Sequence, residues 1–230
     1  MGTVLMLLLI AGLSYVAGSL PTAVIVSKKF FGFDIREKGS GNMGSTNAFR
    51  VLGWKWGIIV QVVDILKGVF AVVVIASLLG KELSFPNATI FEDLTLIRIL
   101  AGVSAVAGHI WSLFVGFKGG KGINTAAGIL IGLAPVDVTI ALGIFVLAVI
   151  FSGYISLGSL AGAFAIPSSM FVRYNVLHVN VPGYDMMIYF ALGLFLLVIF
   201  THRKNIKRLL KGKENKFSKL HLIKLKTKSD

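Results

Sequence analysis

Residues 122–152 read GINTAAGILIGLAPVDVTIALGIFVLAVIFS, and how this stretch is divided decides the fold. Proline lacks the N–H that a helix interior needs and disfavours helical backbone in the residue before it. Ala134-Pro135 therefore predicts either two short helices, over 122–134 and 136–151, or one long bent segment. Further apolar runs lie at about 3–27, 54–79, 94–117, 154–172 and 184–201. A bilayer span needs roughly 20 apolar residues. Division at Pro135 gives seven spans, two of them short; a bent segment gives six.

Charge arbitrates. Of the 23 Lys and Arg residues, eleven lie between Arg203 and Lys228, six between Lys28 and Lys55, and two at Lys118 and Lys121. Loops on the inner side of a membrane carry the excess of basic residues. Seven spans place all three groups inside, with the N-terminus outside and the C-terminus inside. The outer segments, 80–93, 135–137 and 173–184, then hold only Lys81 and Arg173 against Glu82, Glu92, Asp93 and Asp137. Six spans would put the tail and the Lys118/Lys121 loop on opposite sides or break the rule. The fold class read from the chain is an all-α integral membrane protein of seven transmembrane helices.

Composition agrees. The 230 residues are 56% hydrophobic and only 14% charged, with a mean hydropathy of +0.85, whereas soluble domains carry roughly 25% charged residues. The net charge of +13 follows loop asymmetry rather than one basic face, which argues against nucleic acid. The absence of cysteine excludes disulfides, thiolate nucleophiles and acyl-thioesters. Residues 4–17 are apolar, with no Lys or Arg before Lys28, so they read as a retained first span and not as a cleaved signal. No internal repeat is visible. The organisation expected is one polytopic membrane domain, 1–202, with its active site at the cytoplasmic face, and a basic cytoplasmic tail, 203–230. The start of that tail can extend the last helix along the surface, where anionic lipid contributes about 1 kcal/mol per basic residue. The charges beyond Glu214 read as inside anchors.

Two glycine-rich, basic segments interrupt the oily background. The first runs Gly39-Ser40-Gly41-Asn42-Met43-Gly44-Ser45-Thr46-Asn47 and closes with Arg50; the second is Phe117-Lys118-Gly119-Gly120-Lys121-Gly122. Glycine permits close backbone approach, and successive N–H groups beside Lys or Arg make an anion site. A plain turn with a helix cap needs one or two Ser, Thr or Asn residues; the first segment is far richer in them. The second is not a Walker A loop, since Gly122 stands where Ser or Thr would hold magnesium. Ser19-Leu20-Pro21-Thr22 breaks the first span, either as a kink or as a ligand contact through Thr22. Asp64 and Lys67, spaced i and i+3, read as a structural pair supporting the glycine loop. Ser156, near the start of a span, adds a hydroxyl. His109 reads as a packing residue, and His202 gains weight from Arg203 and Asn205. No cluster of His and carboxylates suggests a metal.

Together these residues resemble the bacterial acyl-phosphate:glycerol-3-phosphate acyltransferase family (PlsY type). The resemblance rests on Gly18-Ser19-Leu20-Pro21-Thr22, on Gly39 to Arg50, and on Gly108-His109 with Phe117 to Gly122. His202-Arg203, Asn205-Ile206, Arg208-Leu209, Gly212 and Glu214 complete it. It extends from about residue 15 to 216. Ala23 departs from a usual Gly and Asn124 from a usual Ala. The resemblance implies transfer of a fatty acyl group from acyl phosphate to the 1-hydroxyl of sn-glycerol 3-phosphate, giving lysophosphatidic acid and phosphate. It implies a multi-pass protein of the bacterial cytoplasmic (inner) membrane, surrounded by membrane lipid, with a soluble acyl-phosphate-forming enzyme as a candidate partner. No cofactor and no metal are expected.

The His-x4-Asp of other glycerophosphate acyltransferases is absent, since Phe114, Gly183, Lys207 and Lys226 hold the fifth position after each His. Catalysis by orientation and charge stabilisation is therefore expected. Backbone N–H groups of the first segment (Gly41, Asn42, Gly44, Asn47), with Ser40 and Thr46, would hold the acyl phosphate. Arg50, Lys118 or Lys121, His202 and Asn205 would hold the glycerol phosphate, with Gly119, Gly120, Gly122, Ser156 and Thr22 as further substrate contacts. The rival reading is a transporter of phosphate or a sugar phosphate, which should show repeats and a midplane site. A CDP-alcohol phosphotransferase would need an acidic metal cluster, whereas Asp64 is the only acid well inside the apolar spans.

Overall fold

A computed structural model describes residues 2–81, 83, 93–181 and 183–216. Most of the expected outer segment 80–93 and the tail beyond residue 216, including His221, lie outside the described residues. All regular elements among the described residues are helical, and the chain divides into two compact units, Met1–Pro135 and Val136–Asp230.

The first unit begins with α1 (Thr3–Ser19) and α2 (Thr22–Phe31), separated at Leu20-Pro21. A 3-10 turn, Ile35–Glu37, leads into the first glycine segment and the short α3 (Ser45–Val51). Next come α4 (Trp54–Val69), a π-helical stretch over Phe70–Ile75, and α5 (Ala76–Gly80), which together make one apolar span. After α6 (Asp93–Ile110) and a 3-10 turn at Leu113–Val115, the second segment opens α7 (Ile123–Leu133).

Small residues set the helix packing, as expected where lipid removes the hydrophobic drive between helices. A Cβ on Gly18 would collide with the Ala105 backbone, and one on Gly108 with the Tyr15 carbonyl, so α1 and α6 run backbone to backbone. Gly68 and Gly128 do the same for α4 and α7, against the carbonyls of Thr125 and Ile65. One buried cluster joins Ala23, Val24, Val26, Ile35, Met43, Ala48, Leu52 and Val60. Met43 and Ala48 thus pin the first glycine segment to the apolar interior.

The second unit comprises α8 (Pro135–Ser152), α9 (Ile155–Phe171) with a π-helical end at Val172–Val176, and α10 (Tyr184–Leu210). α8 and α9 approach closely at Gly158, where a Cβ would crowd Val149 and Phe145. They are also joined by Asp137, which accepts from Arg173 at 2.9 Å and from Ser169 at 2.7 Å.

Among the described residues, six helices are long and apolar enough to cross a membrane. The chain does break at Pro135, but the two sides differ. α8, expected to be short, has 18 residues, while α7 has 11. At 1.5 Å per residue α7 reaches only about half of a 30 Å hydrocarbon core. α10 runs unbroken through residues 202 and 203, the expected start of the tail. No Gly or Pro lies between residues 194 and 211 to stop it. Gly212 ends the helix with a left-handed φ of 64°, and the Gly212 and Lys213 amides cap the Leu209 and Arg208 carbonyls. The 27 residues of α10 make about 40 Å of helix, more than the hydrocarbon core needs.

Candidate active site

In the first unit the two glycine segments are tied together. Arg36, just upstream of the first, donates through Nη1 to the Val115 carbonyl, just upstream of the second, at 3.0 Å. Asn124, just downstream of the second, donates to Ser45 Oγ at 2.9 Å. Each bond spans 79 residues of sequence. Asp34 fixes the first of these bridges. Its carboxylate accepts from Arg36 Nε and Nη2 at 3.0 and 2.8 Å and lies 3.3 Å from Lys28 Nζ. The guanidinium bonds hold the Asp34 carboxyl well below the usual carboxylate range despite its burial. The same bonds raise the pKa of Arg36.

Within the first segment much of the polar capacity serves the loop itself. Asn47 is almost fully buried. Its Oδ1 accepts from the Ser40 amide at 2.8 Å, and its Nδ2 donates to the Ile35 and Lys38 carbonyls. The Gly44 amide donates to Asn42 Oδ1, and the Gly41 amide to the Lys38 carbonyl. The amides of Ser40, Gly41 and Gly44 thus have acceptors inside the loop. Gly39 adopts φ 63° directly beside the Asn47 side chain, where no Cβ fits. Ser40 is exposed, and Thr46 and Arg50 are half-buried on α3. The Ser45 and Thr46 amides open α3, where a helix offers no internal acceptor.

The second segment differs more from expectation. The Gly119 amide donates to the Ile110 carbonyl and the Gly120 amide to the His109 carbonyl, closing the end of α6. A backbone amide has one hydrogen, so these two are not the phosphate cradle that glycine content suggests. The charged side chains of the segment are Lys118, which is exposed, and Lys121, which is half-buried. Gly122, with φ 79°, turns the chain into α7.

Beneath this segment lies a buried polar group. Asp64 Oδ1 is 2.6 Å from Lys67 Nζ, and Lys67 also donates to the Leu20 carbonyl at 2.6 Å. Thr22 Oγ1 donates to the same Asp64 oxygen at 3.3 Å. The pair therefore supports the Leu20-Pro21-Thr22 break rather than the first glycine segment, and the Thr22 hydroxyl is bonded to it. His109 Nδ1 stands 4.0 Å from Asp64 Oδ1, and the His109 ring lies directly against Gly120. The neighbours that give this histidine its place come from α4 and from the loop, so no pattern along its own helix signals them.

The second unit, taken by itself, assembles a different group. Glu214 Oε1 accepts from Ser156 at 3.0 Å and from Asn205 Nδ2 at 2.6 Å, while Oε2 accepts from Arg208 Nε at 2.6 Å. Burial alone would push the Glu214 carboxyl up, but these three donors outweigh it and hold the group below its ordinary range. His202 is buried on α10, its Nδ1 2.9 Å from the Val198 carbonyl. A carbonyl only accepts, so that contact places a proton on Nδ1. Glu214 and Arg208 are not among the expected site residues. Their signal is present in the sequence, as charges of opposite sign flanking the Gly212 helix end.

The glycerol-3-phosphate acyltransferase family model matches residues 7–212. The chain belongs to that family. A glycerol-3-phosphate acyltransferase of Chlorobium phaeobacteroides is 43% identical over 92% of this chain and 97% of its own. Among solved structures, the chain resembles PlsY (YgiH), described as an integral membrane glycerol 3-phosphate acyltransferase, in its glycerol 3-phosphate form. The TM-score is 0.75 at 30% identity, over 92% of this chain and 95% of that one. The lysophosphatidic acid form of PlsY gives 0.73 at 30% identity, over 91% of this chain and 94% of that one. Family membership makes this chain a multi-pass membrane acyltransferase.

Proposed function

We propose that the chain transfers a fatty acyl group from acyl phosphate to the 1-hydroxyl of sn-glycerol 3-phosphate, releasing lysophosphatidic acid and phosphate. The observation that carries this is the joining of two basic glycine segments by Arg36 to Val115 and Asn124 to Ser45. Two phosphate-bearing substrates call for two adjacent anion sites. The glycerol 3-phosphate and lysophosphatidic acid forms of PlsY support the acceptor and the product.

In this reading the first segment holds the acyl phosphate through Ser40, Thr46 and the amides that open α3. Asn42, Asn47, Gly41 and Gly44 shape that loop from within. Arg50 and Lys118 or Lys121 hold the phosphate of the acceptor, a role the resemblance also gives His202 and Asn205. Ser156 and Glu214 orient Asn205. Acyl phosphate is a mixed anhydride with a good leaving group, so no acyl-enzyme is required. The acceptor hydroxyl attacks the carbonyl carbon, the acyl–oxygen bond to phosphate breaks, and an oxygen of the departing phosphate takes the hydroxyl proton. Lys and Arg stabilise charge as it moves onto that phosphate, and fixed placement of the two reactants supplies the rest.

The orientation that suits cytosolic glycerol phosphate is the one that charge predicts. Seven spans, α7 among them, place the N-terminus outside and the C-terminus inside a bacterial inner membrane, with both glycine segments at the cytoplasmic face. Residues 203–230 then carry the basic tail, where lipid or a soluble acyl-phosphate-forming enzyme can engage it.

The test is purified protein in detergent with palmitoyl phosphate and glycerol 3-phosphate, following phosphate release. Turnover to lysophosphatidic acid is expected; its absence together with uptake into vesicles would favour a transporter. Arg50→Ala and Lys121→Ala are expected to raise the KM for glycerol 3-phosphate by about tenfold or more, since a hydrogen bond to a charged group contributes about 1.5–3 kcal/mol. Lys118→Ala then tells which lysine reaches the ligand.

A further inference from the structure

Ionisable side chains at membrane depth are costly and are retained for a function or paired with one another. Asp64 and Lys67 are 2% and 5% exposed and lie 2.6 Å apart inside an apolar span. Neither belongs to a glycine segment. Together they bind the break after α1: Lys67 through the Leu20 carbonyl and Asp64 through Thr22. A third buried polar residue, His109, reaches this pair from the end of α6, 4.0 Å from Asp64 and too far for a hydrogen bond. Its Nδ1 has no hydrogen-bond partner among the described residues.

The Nε2 edge of that ring meets the second segment. A Cβ on Gly120 would strike Nε2, Cδ2 and Cε1 of His109, all atoms of the imidazole. The adjoining Gly119 is also confined, but there the obstacles are the backbone carbonyls of His109 and Ile110. Gly119 and Gly120 separate Lys118 from Lys121, so whatever holds these glycines, the amide bonds to the end of α6 and the imidazole edge, bears on where both lysines stand.

We propose that His109 is a positioning residue: its ring, backed by the Asp64–Lys67 pair, is the floor on which Gly120 rests and thereby places Lys118 and Lys121. This rests on the reading that the second segment holds glycerol 3-phosphate. The two glycines make it testable, because a ring can be removed and a carbonyl cannot.

Gly120→Ala should raise the KM for glycerol 3-phosphate by about tenfold or more, the effect of weakening a hydrogen bond from a charged lysine, with kcat changed much less. Adding His109→Ala should recover most of that loss. Gly119→Ala should be as damaging, and His109→Ala should give it no relief. His109→Ala alone should raise the same KM, through a floor that is missing. If that variant does not yield monodisperse protein, His109→Asn, smaller than the ring and still polar, carries the same comparison. A double variant no better than Gly120→Ala, equal relief of Gly119→Ala, or a wild-type KM in His109→Ala would each overturn the proposal. Wild-type protein that does not acylate glycerol 3-phosphate would instead overturn the reading of function beneath it.

Discussion

Asn47 shows how much one side chain can decide. Its amide answers the Ser40 N–H and the Ile35 and Lys38 carbonyls at once, from an almost fully buried position. Asn47→Ala leaves these groups unanswered, and each buried orphan costs about 1–3 kcal/mol. The expected outcome is a lower melting temperature in detergent together with lost turnover; unchanged melting would show that the loop stands without the amide. Glu214 invites a different experiment. Its folded pKa is lowered, against the pull of burial, by Arg208, Asn205 and Ser156, so its contribution is complete above the unfolded value of about 4.3. It is lost as pH falls through the lowered folded value. Cleavage by a protease active in acid should therefore open residues 211–216 only at strongly acid pH in the wild type. In Glu214→Gln the stretch should be open at neutral pH as well, to a protease active there.

At the scale of elements, the helix pairs of the first unit depend on what is missing from their surfaces. Gly18 and Gly108 let α1 meet α6, and Gly68 and Gly128 let α4 meet α7, each with a backbone atom where a Cβ would sit. Alanine at any of these forces the pair apart, and overpacking of this kind costs about 1–3 kcal/mol. Gly12, Gly143 and Gly193 also lie within helices but face open space. Alanine there should be neutral or stabilising by up to about 1 kcal/mol. Melting curves for these variants separate the two classes; a uniform response would show that the close approaches carry no weight. The apolar runs themselves are legible in the sequence. The glycines that pack are not distinguishable there from those that do not, since that depends on which helix lies opposite.

At the scale of the whole molecule, this is a multi-pass membrane enzyme whose basic loops predict its orientation. Because the chain has no cysteine, single substitutions report on that orientation cleanly. Gly2→Cys should react with a membrane-impermeant maleimide on intact spheroplasts, and Lys213→Cys only after permeabilisation. The reverse pattern would place both glycine segments outside and away from cytosolic glycerol phosphate. Length bears on the same question: α7 alone is too short for an ordinary span, so a seven-span topology depends on its being sheltered by protein rather than by lipid alone.

The sequence by itself determined the class of protein, the apolar runs, the break at Pro135 and the two segments suited to phosphate. Those properties are local: transfer of apolar side chains from water adds along the chain, and proline and glycine act where they stand. Tertiary structure alone decided what each polar group does. An amide or hydroxyl satisfies a ligand and a loop carbonyl equally well, so Asn47, Gly119 and Gly120 could be assigned only once their partners were in place. Arg36 and Asn124 joined two segments 79 residues apart in sequence. The two segments became neighbours through contacts that no local pattern encodes.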